Sequence, residues 1–376
     1  MILLLHNRYR TPGGEEHAVD DLAWLIRQEL GEEAEVLQRD SAALGSGRAA
    51  LGLLAGGLRP QAVADAVRRT GARVVHAHNV QPAYGWRALA AAREAGARVV
   101  LHLHNYRLVC AVGTCFTSGE DCTRCHGRDT LPGVRLNCRG GSRAEAVAYG
   151  AGLALWQRRL AESADAFVVP SAFALGRLRE LGAPLGDRAR VIASAQREIA
   201  AATAAGAGRF ALAAGRLTPE KGFADAIAAC AAAGVPLVVA GDGPALAELR
   251  AAAGAGVTFT GRVAPGELAR LRREAALAIV PSRYEEILPL AALEAMAAGL
   301  PVAAARAGGL AELVPEEGLY ATGDVAALTE RVRALWADAA AGERALAAVR
   351  GRCAPAVVAA ALREVYAAPR VSTFQG

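Results

Sequence analysis

At 376 residues the chain is too long for one ordinary hydrophobic core, so two domains are expected. A hydrophobic share of 53% with little low complexity excludes a disordered chain. The net charge of +5 is nearly all arginine and is spread along the sequence, so it permits loose contact with anionic membranes or polyanions without arguing for either. No nucleic-acid partner is expected.

The first residues, Met1 to Leu5, are apolar but run directly into His6-Asn7-Arg8. That is too short for a signal segment and reads as a first buried strand. We find no window of about 18 apolar residues, so a cytoplasmic enzyme with at most peripheral membrane contact is expected. Further short apolar runs predict strands at 34–37, 74–78, 99–104 and 166–170, then at 190–192, 210–214, 237–240, 257–260, 277–280 and 301–304. Amphipathic or Ala-rich stretches between them predict helices over 17–28, 61–69, 87–95, 144–163, 223–233, 245–253, 266–274 and 289–298. Alternating β and α elements with buried strands imply an α/β protein of two doubly wound parallel sheets. The expected division is a first domain over 1–185, a linker over 186–208, a second domain over 209–354, and a C-terminal helix within 355–376 that packs back toward the first domain. In open α/β sheets ligands sit at the carboxyl ends of the strands, and two facing sheets would make a cleft there.

In the first half, Thr11-Pro12-Gly13-Gly14-Glu15-Glu16 follows the first strand and opens a helix. Paired glycines at a helix N-terminus suit close approach of an anion or sugar, or simply a βα turn. His76, His78, His102 and His104 lie at two strand ends. A metal site is one reading, but no carboxylate has suitable spacing; for His76 and His102 we prefer core histidines with backbone partners. Five cysteines, Cys110, Cys115, Cys122, Cys125 and Cys138, fall in the loop 110–138. The Cys122-Thr-Arg-Cys125 knuckle, flanked by Cys110 and Cys138 in a loop with no core of its own, predicts a structural zinc held by those four thiolates. Cys115 is then the odd one out and His126 a spare ligand. A redox pair is the weaker reading, because the knuckle does not lie between a strand and a helix start.

The second half contains the only lysine, Lys221, in Gly215-Arg216-Leu217-Thr218-Pro219-Glu220-Lys221-Gly222-Phe223. A compact ammonium and a planar guanidinium after one strand suit a diphosphate, or else form a solvated turn. Gly241-Asp242-Gly243-Pro244 and Gly261-Arg262-Val263 follow the next two strands and are weak signals alone. Glu286 precedes a helix, and Glu294 lies within it between Leu293 and Ala295. A half-buried carboxylate there needs a partner, and vicinal sugar hydroxyls would serve.

Taken in order, GRLxPEKGF, GDGP, FTGRV, PSxYE and the two glutamates followed by AMAxGxPV resemble the retaining glycosyltransferases of family 4, which have the GT-B fold. The resemblance covers roughly residues 1–355. It implies two Rossmann-like domains facing across a cleft and transfer of a sugar from a nucleotide diphosphate sugar to an acceptor hydroxyl on a glycan, a lipid-linked molecule or a small natural product. Carried over by position, Arg216 and Lys221 hold the donor diphosphate in place of a catalytic divalent metal, and Gly13, Gly14 and Gly241 lie near the donor. Glu294 takes the ribose hydroxyls, and Glu286 contacts the donor sugar. Ile287, Leu288, Pro289 and Leu290 form the donor loop, with Arg262 and Val263 near the base. His104 hydrogen-bonds the transferring sugar, and Glu15, Asn105 and Arg107 flank the acceptor. Some members also carry a Cys-rich loop after an H-N-Y-R segment, which favours the metal reading. Two departures stand out: Ile287-Leu288-Pro289 replaces the usual Gly and large apolar residue, and Ala193-Ser194-Ala195-Gln196-Arg197 replaces P-N-G-V-D. The rivals are a sugar-nucleotide epimerase or hydrolase of the same fold and a non-catalytic nucleotide-sugar-binding protein.

Overall fold

A computed structural model describes residues 1–9, 13–139, 142–287 and 289–370. The chain divides into two compact units. The first comprises Met1–Thr117, Cys122–Ala195 and Pro355–Gly376; the second comprises Ser118–Asp121 and Gln196–Ala354.

The first unit is built on strands β1 (Ile2–Arg8), β2 (Ala34–Asp40), β3 (Val74–Ala77), β4 (Arg98–His102), β5 (Ala166–Val169) and β6 (Ala189–Val191), in spatial order β2-β1-β3-β4-β5-β6. All neighbours are parallel. β1, β3 and β5 are covered on both faces and so are mostly apolar, β5 throughout and β1 over Ile2 to Leu5, whereas edge strand β2 carries polar residues among its apolar ones. Ile2, Leu4, Val74, Val100 and Val168 meet Leu22, Leu25 and Ile26 of helix α1 (Gly14–Gln28) and Val358, Leu362 and Tyr366 of the C-terminal helix Pro355–Ala367 in one core. The segment 186–208, expected as linker, instead supplies β6, whose register fixes Val168 beside Arg190. β6 is the strand expected at 190–192, placed one residue earlier, and Val191 is exposed at this sheet edge.

The second unit contains β7 (Ala211–Ala214), β8 (Leu237–Ala240), β9 (Val257–Gly261), β10 (Leu277–Val280), β11 (Val302–Ala305) and β12 (Leu319–Tyr320), in the order β9-β8-β7-β10-β11-β12. Its core is built largely from alanine, with Leu217, Phe223, Ile227, Leu277 and Ile279 filling the larger spaces. Chain progression reverses at β7, between β8 and β10; such a switch point is where open sheets bind ligands. β12 and the helices Ser46–Leu54, Val325–Leu335 and Ala339–Cys353 were not predicted by the apolar periodicity.

The stretch Ala339–Ala367 is long and apolar enough to cross a membrane by length and composition, with a mean hydropathy of 1.5, which corrects the expectation that no such window exists. It is two helices parted at Ala354, where ψ is 141°. Leu346, Val349 and Cys353 are buried on one, and Val358, Leu362 and Tyr366 on the other, so both pack as core helices.

Candidate active site

In the second unit the loops leaving β7 and β8 touch backbone to backbone. Gly215 N–H donates to Ala240 O at 2.9 Å, and Leu217 N–H to Asp242 O at 2.9 Å. A Cβ at Gly241, where φ is +151°, would lie 1.8 Å from Gly215 O, so only glycine fits this crossing. Pro219–Lys221 then forms a short 3₁₀ turn that enters helix α2 (Phe223–Ala233) through left-handed Gly222.

Lys221 Nζ lies 2.8 Å from Glu286 Oε1 and 5.1 Å from the centre of the Tyr284 ring. The same carboxylate oxygen accepts from Ser282 Oγ. Burial alone would lower the Lys221 pKa, but the Glu286 carboxylate and Tyr284 outweigh it and hold the ammonium above its ordinary range. Arg283 bridges to buried Asp225 of α2 through Nε at 2.9 Å and Nη2 at 2.5 Å, and Arg283 N–H donates to Glu220 O at 2.8 Å. These contacts join the lysine turn to the glutamate loop. Gly309 N–H donates to Glu286 O at 2.6 Å, and a Cβ at Gly308 would stand 2.4 Å from that carbonyl. Ser282, Tyr284, Asp225, Gly308 and Gly309 thus shape the site, although the sequence reading assigned them no role. Only the pairing of Arg283 with an acidic residue on α2 could have pointed to part of this set.

Arg216 is not beside Lys221 as a second buried cation: its side chain is exposed and lies 3.8 Å from Glu220. Glu294, on helix α3 (Leu290–Ala297), has the partner its setting demanded, Arg272 from helix Pro265–Glu274. Ile287 and Pro289 are buried, Leu290 is partly exposed, Arg262 is exposed and Val263 is half-buried. Leu288 lies outside the described residues, as do Thr11 and Pro12.

In the first unit Gly13 caps α1, and Glu16 reaches back to accept from Gly13 N–H at 2.7 Å and Tyr9 N–H at 3.1 Å. Burial would raise the Glu16 carboxyl, but His6 and these backbone N–H groups bring it down to about 2. Gly14 begins the helix. Glu15, Asn105 and Arg107 converge on Tyr9, which the sequence reading passed over. Tyr9 OH donates to Glu15 at 2.6 Å, Asn105 Nδ2 lies 3.1 Å from the Tyr9 oxygen, and the Arg107 guanidinium stands 4.7 Å above its ring. Burial and the Glu15 charge together raise the Tyr9 phenol well above its usual range.

The strand-end histidines form one stack. His104 Nε2 lies 2.7 Å from His78 Nδ1, and the His102 and His104 ring centroids are 3.9 Å apart. The expectation of backbone partners for His76 and His102 is corrected: His76 Nδ1 bonds the Tyr366 hydroxyl at 2.7 Å, and His76 Nε2 faces His102 Nδ1 at 3.3 Å. Burial pushes His76 down to about 3 and His78 and His102 well below the ordinary imidazole range. His104 is lowered by burial as well.

Cys110, Cys115, Cys122, Cys125 and Cys138 line one small pocket. A hydrogen bond from Cys115 holds the Cys110 thiol at about 6, while burial pushes Cys125 up to about 11. Cys115, expected to be the odd one out, is thus hydrogen-bonded to Cys110. His126 is no spare ligand: its Nε2 lies 3.0 Å from Glu180 O, and it does not line the cavity. Among the described residues, the one group of three possible ligand atoms lying within 4.8 Å of one another is His76, His78 and His102; the thiols form no such group.

Two family models match the chain in succession: residues 11–195 match a glycosyl transferase 4-like domain, and residues 208–338 match glycosyl transferases group 1. A sulfoquinovosyl transferase of Arabidopsis thaliana is 39% identical over 105 residues, 26% of this chain and 20% of that protein. A glycogen synthase of Mycobacterium tuberculosis is 36% identical over 178 residues, 42% of each chain. The chain thus spans less than half the length of these relatives. The crystal structure of Anabaena HepE in complex with UDP superimposes with a TM-score of 0.63 at 19% identity, covering 96% of this chain and 98% of that one. At that identity the likeness speaks for the fold.

Proposed function

The chain belongs, through both of its domains, to the glycosyltransferases of GT-B fold, and on that premise we propose that it transfers a sugar from a nucleotide diphosphate sugar to an acceptor hydroxyl with retention at the anomeric carbon. The observation that carries this reading is the Lys221–Glu286 pair at the switch point of the second sheet. An ammonium there has three donors, and one of them faces Glu286. The others can meet the β-phosphate as charge develops on the leaving nucleoside diphosphate, with Arg216 adding an exposed guanidinium from the surface. No catalytic divalent metal is needed in this scheme. Glu286 presents its remaining oxygen to the donor sugar beside the N-terminus of α3, and Glu294 meets the ribose by exchanging or sharing Arg272. Backbone at Arg262 and Val263 approaches the base. HepE was crystallised with UDP, which supports a uridine nucleotide as the first donor to test.

On the acceptor side, His104 orients the transferring sugar, and Glu15, Asn105 and Arg107 receive the acceptor; their common anchor is Tyr9. The acceptor is a glycan, a lipid-linked molecule or a small natural product, handled in the cytoplasm with peripheral membrane contact where it is lipid-linked. The cysteine loop belongs to the same reading as a structural zinc site built on Cys110, Cys122, Cys125 and Cys138. Five thiols around one cavity suit a thiophilic ion, and Cys115 stands close enough to Cys110 to compete for it. A donor screen tests the function: thermal shift with several nucleotide sugars, then product mass with candidate acceptors. Donor cleavage at full rate without acceptor would favour a hydrolase, and no stabilisation by any nucleotide sugar would remove the donor assignment.

A further inference from the structure

We propose that His76, His78 and His102 form a three-imidazole site for a divalent first-row transition ion, Zn²⁺ by geometry, inside the first domain. The placement follows from strand alternation. His76 and His78 are two residues apart and share a side of the sheet, as do His102 and His104 on the neighbouring strand. β3 and β4 are parallel with His76 beside Val100, so His102 comes diagonally next to His76. The result is a block of four stacked imidazoles, three of which offer ligand atoms within 4.8 Å of one another.

The distances suit a metal better than a hydrogen-bonded pair. His76 Nε2 and His102 Nδ1 are 3.3 Å apart, long for a hydrogen bond between ring nitrogens. Zinc–nitrogen bonds of about 2.0–2.1 Å at a tetrahedral angle put two ligand nitrogens roughly 3.3–3.4 Å apart. The far nitrogens are held as outer-shell partners hold metal-bound imidazoles: His76 Nδ1 on the Tyr366 hydroxyl at 2.7 Å, and His78 Nδ1 on His104 Nε2 at 2.7 Å. That leaves His78 Nε2, its ligand atom, buried without a partner; His102 Nε2 is also unpartnered, but with His102 Nδ1 on the ion it calls for a water. Buried nitrogens with nothing to bond call for an ion or a water. Two carboxylates, Glu15 and Glu16, stand 3.9 and 3.6 Å from His6, whose ring meets His78 edge-on at 6.3 Å, and would partly balance the ion's charge. A site this enclosed is structural: it clasps β3 to β4 and, through His78, fixes the ring of His104.

The test uses untagged full-length protein and a Cys122→Ser/Cys125→Ser variant that disables the cysteine knuckle. Elemental analysis is expected to find about one equivalent of metal in the cysteine variant, beyond any held by the cysteine loop of the unaltered protein, and this equivalent is lost when His78→Gln is added to that variant. After chelation, Co²⁺ added to the cysteine variant should give tetrahedral d–d absorption without thiolate charge-transfer bands, a readout that does not depend on His78→Gln folding. A cysteine variant that purifies with no metal at all, or that after chelation neither Zn²⁺ nor Co²⁺ stabilises or colours, would overturn the proposal and leave water as the partner of these nitrogens.

Discussion

Replacing Lys221 separates a structural ion pair from a donor clamp. Lys221→Met leaves the Glu286 carboxylate, 4% exposed, with Ser282 and no counter-charge. Removing one partner of a buried pair costs about 3–5 kcal/mol, and because the Lys221 side chain is itself 23% exposed we expect a cost just below that range, about 2–3 kcal/mol. The double variant Lys221→Met/Glu286→Gln removes the orphaned charge and should recover all but about 1 kcal/mol. Hydrogen exchange of peptides from β7 to β10 reads this locally, without assuming that both domains unfold together. Equal losses in the single and double variants would refute the coupling. Lys221→Arg then tests the clamp. It keeps the charge but brings a planar fork into a pocket walled by Glu286 and Tyr284, and kcat/KM should fall about tenfold or more, roughly 1.4 kcal/mol. Full activity in that variant would mean that the chain's single lysine has no special task.

Three further outcomes are expected. Glu16 sits below its ordinary range when folded, at about 2, so its stabilising share is fully present above about pH 4.5 and is lost as pH falls toward 2; with 13% of the side chain exposed, Glu16→Gln should remove about 1–2 kcal/mol at pH 7 and flatten the acid limb of urea unfolding. Gly308→Ala places a Cβ 2.4 Å from Glu286 O and should weaken nucleotide-sugar binding about tenfold in calorimetry, whereas Gly323→Ala, at φ +81° with nothing within 4 Å, should cost only backbone strain of about 1 kcal/mol and leave binding unchanged. Arg272→Met leaves Glu294 partly exposed, so thermal unfolding should register less than about 1 kcal/mol, while nucleotide affinity shifts severalfold if Glu294 grips the ribose.

The two sheets could be read from the sequence because their central strands are buried on both faces and so appear as short apolar runs, Ile2 to Leu5 and Leu277 to Val280 among them. β12 was missed because an edge strand of two residues leaves no pattern, whereas β6, an edge strand of three, lies within one residue of the run at 190–192. Within the site, residues with unusual chemistry announced themselves: a single lysine, two glutamates at fixed spacing, and histidines at strand ends. Their partners did not, because Asp225, Arg272 and Gly308 are ordinary residues until folding brings them across 58, 22 and 22 positions to Arg283, Glu294 and Glu286. The His76–Tyr366 contact, spanning 290 positions, lies beyond any local pattern.

That last contact bears on how the polypeptide is made. The first domain takes its final core helix, Pro355–Ala367, from beyond the second domain in the chain, and Arg98 donates to the carbonyls of Val365 and Pro369. On the ribosome the second domain therefore emerges and folds while the first still exposes the apolar groove of Ile2, Val74 and Val168, which Val358 and Leu362 will later fill. Vectorial synthesis inverts the order of completion: the domain that begins first is sealed last.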